Sequence, residues 1–135
     1  MKSDSLRATA TYPSIVGKVI AECRNSSGLS QAQVARALDM NQSAWSKLER
    51  GTTPMTIEHL ARVAKLLGMS PGELLARADR AAEYMVRRGV HVAERRLESG
   101  SAVAKGLAVI GAAALGALVG AALRAASSSD SDDRK

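Results

Sequence analysis

The chain contains almost no aromatic residues: phenylalanine is absent, and aromatics make up 2% of its 135 residues. Its interior must therefore be filled by Leu, Ile, Val, Ala and Met. Runs of β-branched and aromatic residues, which favour strands, are scarce, whereas the helix-favouring residues Ala, Leu and Arg are abundant. This composition predicts an all-α fold.

Cysteine is also nearly absent. The single Cys23 excludes an internal disulfide and fits a reducing compartment. With no second cysteine and no nearby histidine, we interpret it as a small core residue. The first 14 residues have no apolar h-region, so we expect no secretory signal peptide and a cytoplasmic location.

Side chains that would support catalysis or metal binding are not grouped. His59 and His91 are isolated, and no spacing matches a nucleophile with its base, a carboxylate pair or a metal-ligand set. We expect no enzymatic activity, cofactor or metal, and no small-molecule ligand is evident. The net charge of +6 and the isoelectric point near 10.0 suit nucleic acid or an anionic membrane surface.

Residues 13–78 consist of short amphipathic segments separated by clear helix-end signals. Ser30 with Gln33 forms a capping box, Asn41 can cap the next helix, and Ser70 precedes Pro71 at another helix start. Five helices are predicted here, which makes a small helical domain. Residues 1–12 are polar and aperiodic, and are predicted to be a flexible N-terminal arm.

The second half of the chain changes in composition. Residues 79–104 are charged and predict a helical linker, interrupted at Gly89, while residues 125–135 predict a disordered tail. Between them, residues 105–124 predict an Ala/Gly-rich apolar helix. Its core, residues 106–123, carries no charged or polar side chain and has a length of roughly 27 Å as a helix.

Two interpretations of this apolar segment remain open. It is just long enough to span the inner membrane, with the upstream arginines on the cytoplasmic side. Alternatively, it is a soluble oligomerisation helix, whose small face around Gly116 and Gly120 packs against a second copy. Both interpretations predict self-association.

The stretch "LSQAQVARALDMNQSAWSKLERG", residues 29–51, predicts two helices joined by the very short connection Asp39-Met40. Ala35 is small, as a residue facing a closely crossing helix must be. This is the geometry of a helix-turn-helix, whose second helix enters the major groove of DNA. The second helix would present polar side chains outward while Trp45 and Leu48 point inward.

The stretch and its surroundings resemble the Xre/Cro-like helix-turn-helix family of phage-repressor DNA-binding domains over about residues 14–78. The resemblance predicts a five-helix repressor-like domain. It is carried by Arg24, Gly28-Leu29-Ser30-Gln31, Val34-Ala35, Asn41-Gln42-Ser43, Ser46, Leu48-Glu49-Arg50-Gly51, Leu60, Ala64 and Leu67-Gly68.

The family resemblance implies three sets of residues. An architectural ion pair would join Arg24 of the first helix to Glu49 of the third. Contacts to bases are implied for one outward row of the recognition helix, Gln42, Ser43, Ala44 and Lys47. Contacts to backbone phosphates are implied for Gln31, Asn41, Arg50 and Thr52.

Two residues depart from the family pattern. Asp39 occupies the turn position usually given to glycine, and adopts a left-handed conformation less readily than glycine but better than most residues. Trp45 occupies a site usually filled by a smaller aliphatic residue, and its ring is expected to pack inward. Both departures affect the tilt expected for the recognition helix.

The sequence therefore predicts a DNA-binding transcription regulator, a repressor that binds a palindromic operator in double-stranded DNA as a homodimer and is free in the cytoplasm or tethered to the inner membrane. Two alternatives are a membrane-anchored scaffold that uses the helix-turn-helix to dock proteins, and the antitoxin of a toxin–antitoxin pair. The scaffold would require apolar side chains on the outward face of residues 41–50.

Overall fold

The computed structural model describes residues 7–94 and 107–129 of the chain. Most of these residues are helical, which confirms the predicted fold class. In chain order the elements are β1 (Arg7–Thr11), α1 (Tyr12–Ser26), α2 (Gln31–Ala37), α3 (Gln42–Glu49), α4 (Ile57–Leu66), α5 (Pro71–Arg87), β2 (His91–Ala93), β3 (Leu107–Val109) and α6 (Ala112–Ser129).

Each of the first five helices is preceded by a residue with a short polar side chain. In each, a side-chain oxygen accepts a hydrogen bond from an amide of the first turn, which would otherwise have no partner within the helix. The capping residues are Thr11, Ser30, Asn41, Thr56 and Ser70.

Helix α1 lies at the centre of the core. Its residues Ile15, Val19 and Ile20 are fully buried, and α3, α5 and α6 all pack against it. Trp45 of α3 is also fully buried, as expected from its position in the sequence. Among the described residues, Trp45 is the one aromatic residue of the buried core.

Residues 7–12 do not belong to a flexible arm, which the sequence predicted over residues 1–12. Arg7–Thr11 form the middle strand of a three-stranded parallel sheet with the order β2-β1-β3, and Tyr12 begins α1. Thr9 pairs with His91 on one side and with Val109 on the other. Thr9 is fully buried, and its hydroxyl donates a hydrogen bond to the His91 carbonyl at 3.0 Å. Residues 1–6 lie outside the described residues.

The boundary predicted at residue 78 falls inside a helix. Helix α5 continues to Arg87 because Ala81 and Met85 extend the buried row that begins with Leu74 and Ala78. The first part of the predicted linker is therefore part of α5, and His91–Ala93 form β2. The rest of that linker, residues 95–104, lies outside the described residues.

The apolar segment is divided between β3 and α6. Leu115, Val119 and Ala122 of α6 are buried in the core against α1 and α5, and α6 extends to Ser129, into the predicted tail. Within residues 7–94 and 107–129, no helix has the length and apolar character needed to cross a membrane. The predicted inner-membrane span is not supported.

Tyr12 links the start of α1 to α5. Its hydroxyl donates a hydrogen bond to the Asp79 carboxylate at 2.6 Å. Partial burial, followed by the hydrogen bond and the charge of Asp79, raises the pKa of Tyr12 from 10.0 to about 12.

This raised pKa predicts a loss of stability in alkaline solution. The neutral phenol is favoured in the folded protein, so its contribution is complete below pH 10 and is lost as the pH rises from 10 to about 12. Tyr12→Phe removes the ionisable group. We expect the free energy of unfolding of the wild type to fall more steeply than that of the variant over this interval, measured by urea denaturation. Parallel pH profiles would contradict the assignment.

Candidate nucleic-acid interface

The turn between α2 and α3 is tight and is held by α4. Asp39 adopts a left-handed conformation with φ 57° in this turn. Arg62 of α4 donates hydrogen bonds to the carbonyls of Leu38 and Ala37 at 3.3 and 3.2 Å, and contacts the Asp39 carboxylate at 3.4 Å. These bonds to the end of α2 hold the angle at which α3 leaves the turn.

The carboxylate of Glu49 connects the first three helices. Arg24 of α1 donates from Nε to Oε1 at 2.6 Å and from Nη2 to Oε2 at 3.3 Å. Gln31 of α2 donates to Oε2 at 2.8 Å, and the Trp45 indole N–H donates to Oε1 at 2.9 Å. Glu49 is 6% exposed, so these four hydrogen bonds replace the water that the carboxylate loses on burial.

Arg24 makes four hydrogen bonds with its guanidinium group. Besides Glu49, its Nη1 donates to the Leu29 carbonyl at 2.9 Å and to the Asn25 side chain at 3.2 Å. The structure thus places the predicted pair of Arg24 and Glu49 in direct contact, with side chains 11% and 4% exposed. The pair fixes α1, α3 and the loop before α2 in one arrangement.

Two glycines let α3 end close against α1. A Cβ atom at Gly17 of α1 would overlap the Glu49 carbonyl group. Gly51, just after α3, has φ +69°, and a Cβ there would lie 2.5 Å from the Ser14 amide nitrogen. Any larger residue at either position would move the recognition helix away from α1.

The predicted base-contacting residues lie on the outward side of α3. Gln42, Ser43 and Lys47 are exposed and Ala44 is half-buried, while Trp45, Leu48 and Glu49 occupy the opposite, buried side. Ser43, Ala44 and Lys47 also line a cleft of about 490 Å³ beside α3. The structure therefore brings these four residues into one row that faces solvent.

The predicted phosphate-contacting residues have different immediate partners. Asn41 caps α3, because its Oδ1 accepts from the Ala44 amide at 2.8 Å, which leaves its NH₂ group as the outward donor. Gln31 uses one N–H for Glu49 and has a second. Arg50 is exposed, with Nε 3.4 Å from the Ser46 carbonyl, and the Thr52 hydroxyl donates to the Lys47 carbonyl at 3.2 Å.

Three of these four residues meet in a second cleft. Gln31, Arg50 and Thr52 line a space of about 420 Å³ bounded by α1, the end of α3 and the start of α6, whereas Asn41 lies with the base-contacting row. Lys18 of α1 lines the same space, which we call the Lys18 cleft.

Sequence reasoning missed two basic residues at this surface, Arg62 and Lys18. Arg62 supports the turn from α4, and Lys18 reaches the cleft from α1. Neither belongs to the residues that carry the family resemblance, and their roles depend on packing between distant segments. Within the described ranges, no group of three or more His, Cys, Asp or Glu residues is placed to hold a metal ion.

Comparison with known proteins agrees with this geometry. Residues 15–78 match the family described as a helix-turn-helix domain. No curated protein shows significant similarity to the chain. Two solved structures of the clp gene regulator ClgR from Corynebacterium glutamicum are similar. One is 27% identical in sequence, and the match covers 57% of this chain and 87% of that chain with a TM-score of 0.50. The other is 28% identical, and the match covers 50% of this chain and 88% of that chain with a TM-score of 0.48.

Residues 15–78 therefore belong to the helix-turn-helix domain family, of the Xre/Cro-like type that the sequence motifs indicated. The matched domain and the similarity to a gene regulator together support a DNA-binding transcription regulator. They point to a non-enzymatic protein.

The buried position of Glu49 makes a test of the Arg24 contact possible. Arg24→Met removes the charge that balances the carboxylate, and breaking a buried pair in this way costs about 3–5 kcal/mol. Asp39→Asn is the matched control, since it removes an exposed ion pair worth less than about 1 kcal/mol while asparagine also tolerates the left-handed turn. Urea denaturation should separate the two variants clearly; equal losses would show that the buried pair has no special role.

Proposed function

We propose that this protein is a sequence-specific transcription regulator that binds a palindromic operator as a homodimer and represses transcription. The observation that carries the proposal is the outward row of Gln42, Ser43, Ala44 and Lys47 on a helix whose other side is buried. A DNA-binding regulator acts where the chromosome lies, so we propose a cytoplasmic location.

The chemistry of the row suits the edges of base pairs in the major groove. The Gln42 carboxamide can both accept from and donate to adenine, and Lys47 can donate to the acceptors of guanine. Ser43 can donate or accept, and the Ala44 methyl group can contact a thymine methyl group. Each side chain is at or near the surface, so binding would require no rearrangement of the core.

The proposed phosphate contacts lie on both sides of this row. Asn41 precedes α3, Arg50 and Thr52 follow it, and Gln31 lies at the start of α2. Contacts to phosphates set the position of a protein on the duplex, whereas contacts to bases select the sequence. The net charge of +6 adds long-range attraction to DNA.

The size of the recognition helix supports the proposed homodimer. Helix α3 has eight residues and can contact only a few base pairs, which is too short a sequence to specify one operator. Two copies related by a two-fold axis would contact half-sites about one helical turn apart. We propose repression because a dimer bound over a promoter excludes polymerase from the same DNA.

The docking-scaffold alternative predicted apolar side chains on the outward face of residues 41–50. The exposed residues there are Asn41, Gln42, Ser43, Lys47 and Arg50, and all of them are polar or charged. This surface favours DNA over an apolar protein partner.

The roles of Gln42 and Arg50 predict different responses to alanine substitution. An operator selected from a random duplex library would serve as the probe. Gln42→Ala should cost about 1–3 kcal/mol and relax the preference at one base pair, because its contact carries sequence information. Arg50→Ala should weaken binding to all sequences alike and lower the dependence of the affinity on salt.

Arg87→Ala is the control for the loss of one positive charge, since Arg87 is exposed at the end of α5 and lines neither cleft. Affinities are measured by fluorescence anisotropy on the selected operator and on single-base variants of it. A Gln42→Ala protein that keeps the wild-type preference at every position would overturn the assignment of base contacts.

The dimer predicts the architecture of the selected operator. It should contain two inverted half-sites with centres about 34–36 Å apart, and two protein chains should bind per duplex. A duplex with one half-site scrambled should bind far more weakly. Sedimentation of the protein–DNA complex gives the stoichiometry, and a single chain bound to an asymmetric site would rule out the dimer.

A further inference from the structure

Lys18 is a basic residue that the proposed contacts leave without a function. It lies on α1, is half-buried, and lines the Lys18 cleft together with Gln31, Arg50 and Thr52. Within residues 7–94 and 107–129, its ammonium group has neither a hydrogen-bond nor an ion-pair partner. A half-buried cation has lost part of its hydration, so an anion in the cleft would stabilise it.

The charges around the cleft favour an anion. Its charged lining residues are Lys18, Arg24, Glu49 and Arg50. Glu49 is already bound by Arg24, which leaves Lys18 and Arg50 without a carboxylate partner in the cleft. The hydroxyl groups of Thr11 and Ser14 add polar atoms to the same wall.

We propose that Lys18 binds a phosphate of the DNA backbone, and that helix α6 determines where its ammonium group lies. This inference rests on the proposed DNA binding and extends it to a residue outside the helix-turn-helix. A backbone phosphate is favoured over a free small anion because the cleft is shared with Gln31, Arg50 and Thr52, three of the four proposed phosphate contacts. A DNA strand that touches these residues passes the Lys18 side chain.

The contact with α6 is made at Gly116. A Cβ atom at this position would lie 2.7 Å from Lys18 Cε and 3.2 Å from its Nζ. The glycine, which the sequence analysis assigned to a membrane or dimer contact, leaves the space in which the end of the lysine side chain rests. An alanine there would push the ammonium group aside, and the flexible end of a lysine moves at small energetic cost.

The first experiment measures the dependence of the affinity on salt concentration. Each phosphate neutralised by the protein contributes about 0.9 to the slope of log K against log salt. Lys18→Ala should lower this slope by about one per protein chain bound, and should weaken binding to specific and random duplexes alike. Lys65→Ala is the matched control; Lys65 is an exposed lysine of α4 that lines neither cleft, and its loss should leave the slope nearly unchanged.

The second experiment tests the role of α6 without removing any positive charge. Gly116→Ala should weaken DNA binding in the wild-type background and have no further effect in the Lys18→Ala background. Gly120→Ala is the control, because the three atoms nearest to a Cβ there all belong to Arg124 of the same helix, and it should leave binding unchanged in both backgrounds. Alanine is more stable than glycine in the middle of a helix by roughly 0.5–1 kcal/mol, and the side chains nearest to both positions end in flexible groups, so both variants are expected to fold, which thermal denaturation checks.

The outcomes separate this inference from the proposed function. If the wild-type protein selects no DNA sequence and binds no duplex, the proposed function fails and this inference fails with it. If Gln42→Ala and Arg50→Ala behave as predicted but Lys18→Ala and Lys65→Ala give the same slope, only the role of Lys18 is wrong. A different result would overturn the inference in favour of a small anionic ligand. In that case Lys18→Ala would abolish the binding of inorganic phosphate to the free protein but leave the salt dependence of DNA binding unchanged.

Discussion

The arrangement of the interface depends on the hydrogen bonds to the buried carboxylate of Glu49. Glu49 lies at the end of the recognition helix, and the donors that bind it come from α1, from the start of α2 and from α3 itself. The same residue therefore sets the angle between the two helices of the motif and the position of both relative to α1. Because the carboxylate is buried, each donor has a defined place, and the Gln31 side chain is held against Glu49.

Local patterns were sufficient to predict the helix-turn-helix. Its helices start after single capping residues such as Ser30, Asn41 and Ser70, and they end near residues with positive φ, which are glycines or Asp39. A window of a few residues therefore contains the whole signal. The partition of α3 into an exposed and a buried side follows from the 3.6-residue period. What such windows do not contain is the exact partner of each polar group: the hydrogen bond from Gln31 to Glu49 and the support of the turn by Arg62 both join segments that are distant in the sequence.

The two ends of the described chain were predicted less well for the same reason. The strand Arg7–Thr11 alternates polar residues with alanine, but over only five residues with small side chains, and it becomes a strand because segments more than 80 residues away pair with it. The composition of the apolar segment is typical of a membrane helix. Its residues Leu115, Val119 and Ala122 are nevertheless buried in the same hydrophobic core as the first five helices. The composition of the segment indicates that it is buried away from water. It does not indicate whether the surrounding apolar surface is a bilayer or the core of the same protein.

The parallel pairing of β1 with both β2 and β3 has a consequence for the order of folding. The helices from α1 to α5 pack on one another within residues 12–87, so their packing does not require the later strands β2 and β3. The middle strand β1 cannot complete its pairing until about residue 109 has been synthesised, because its partner β3 ends there. By then the ribosome has synthesised every other described element except α6. Closing such long loops costs chain entropy before any hydrogen bond is gained. A ribosome-bound chain that has released only the helix-turn-helix therefore carries the segment Arg7–Thr11 without either of its strand partners, and the sheet can close only after residue 109 has emerged.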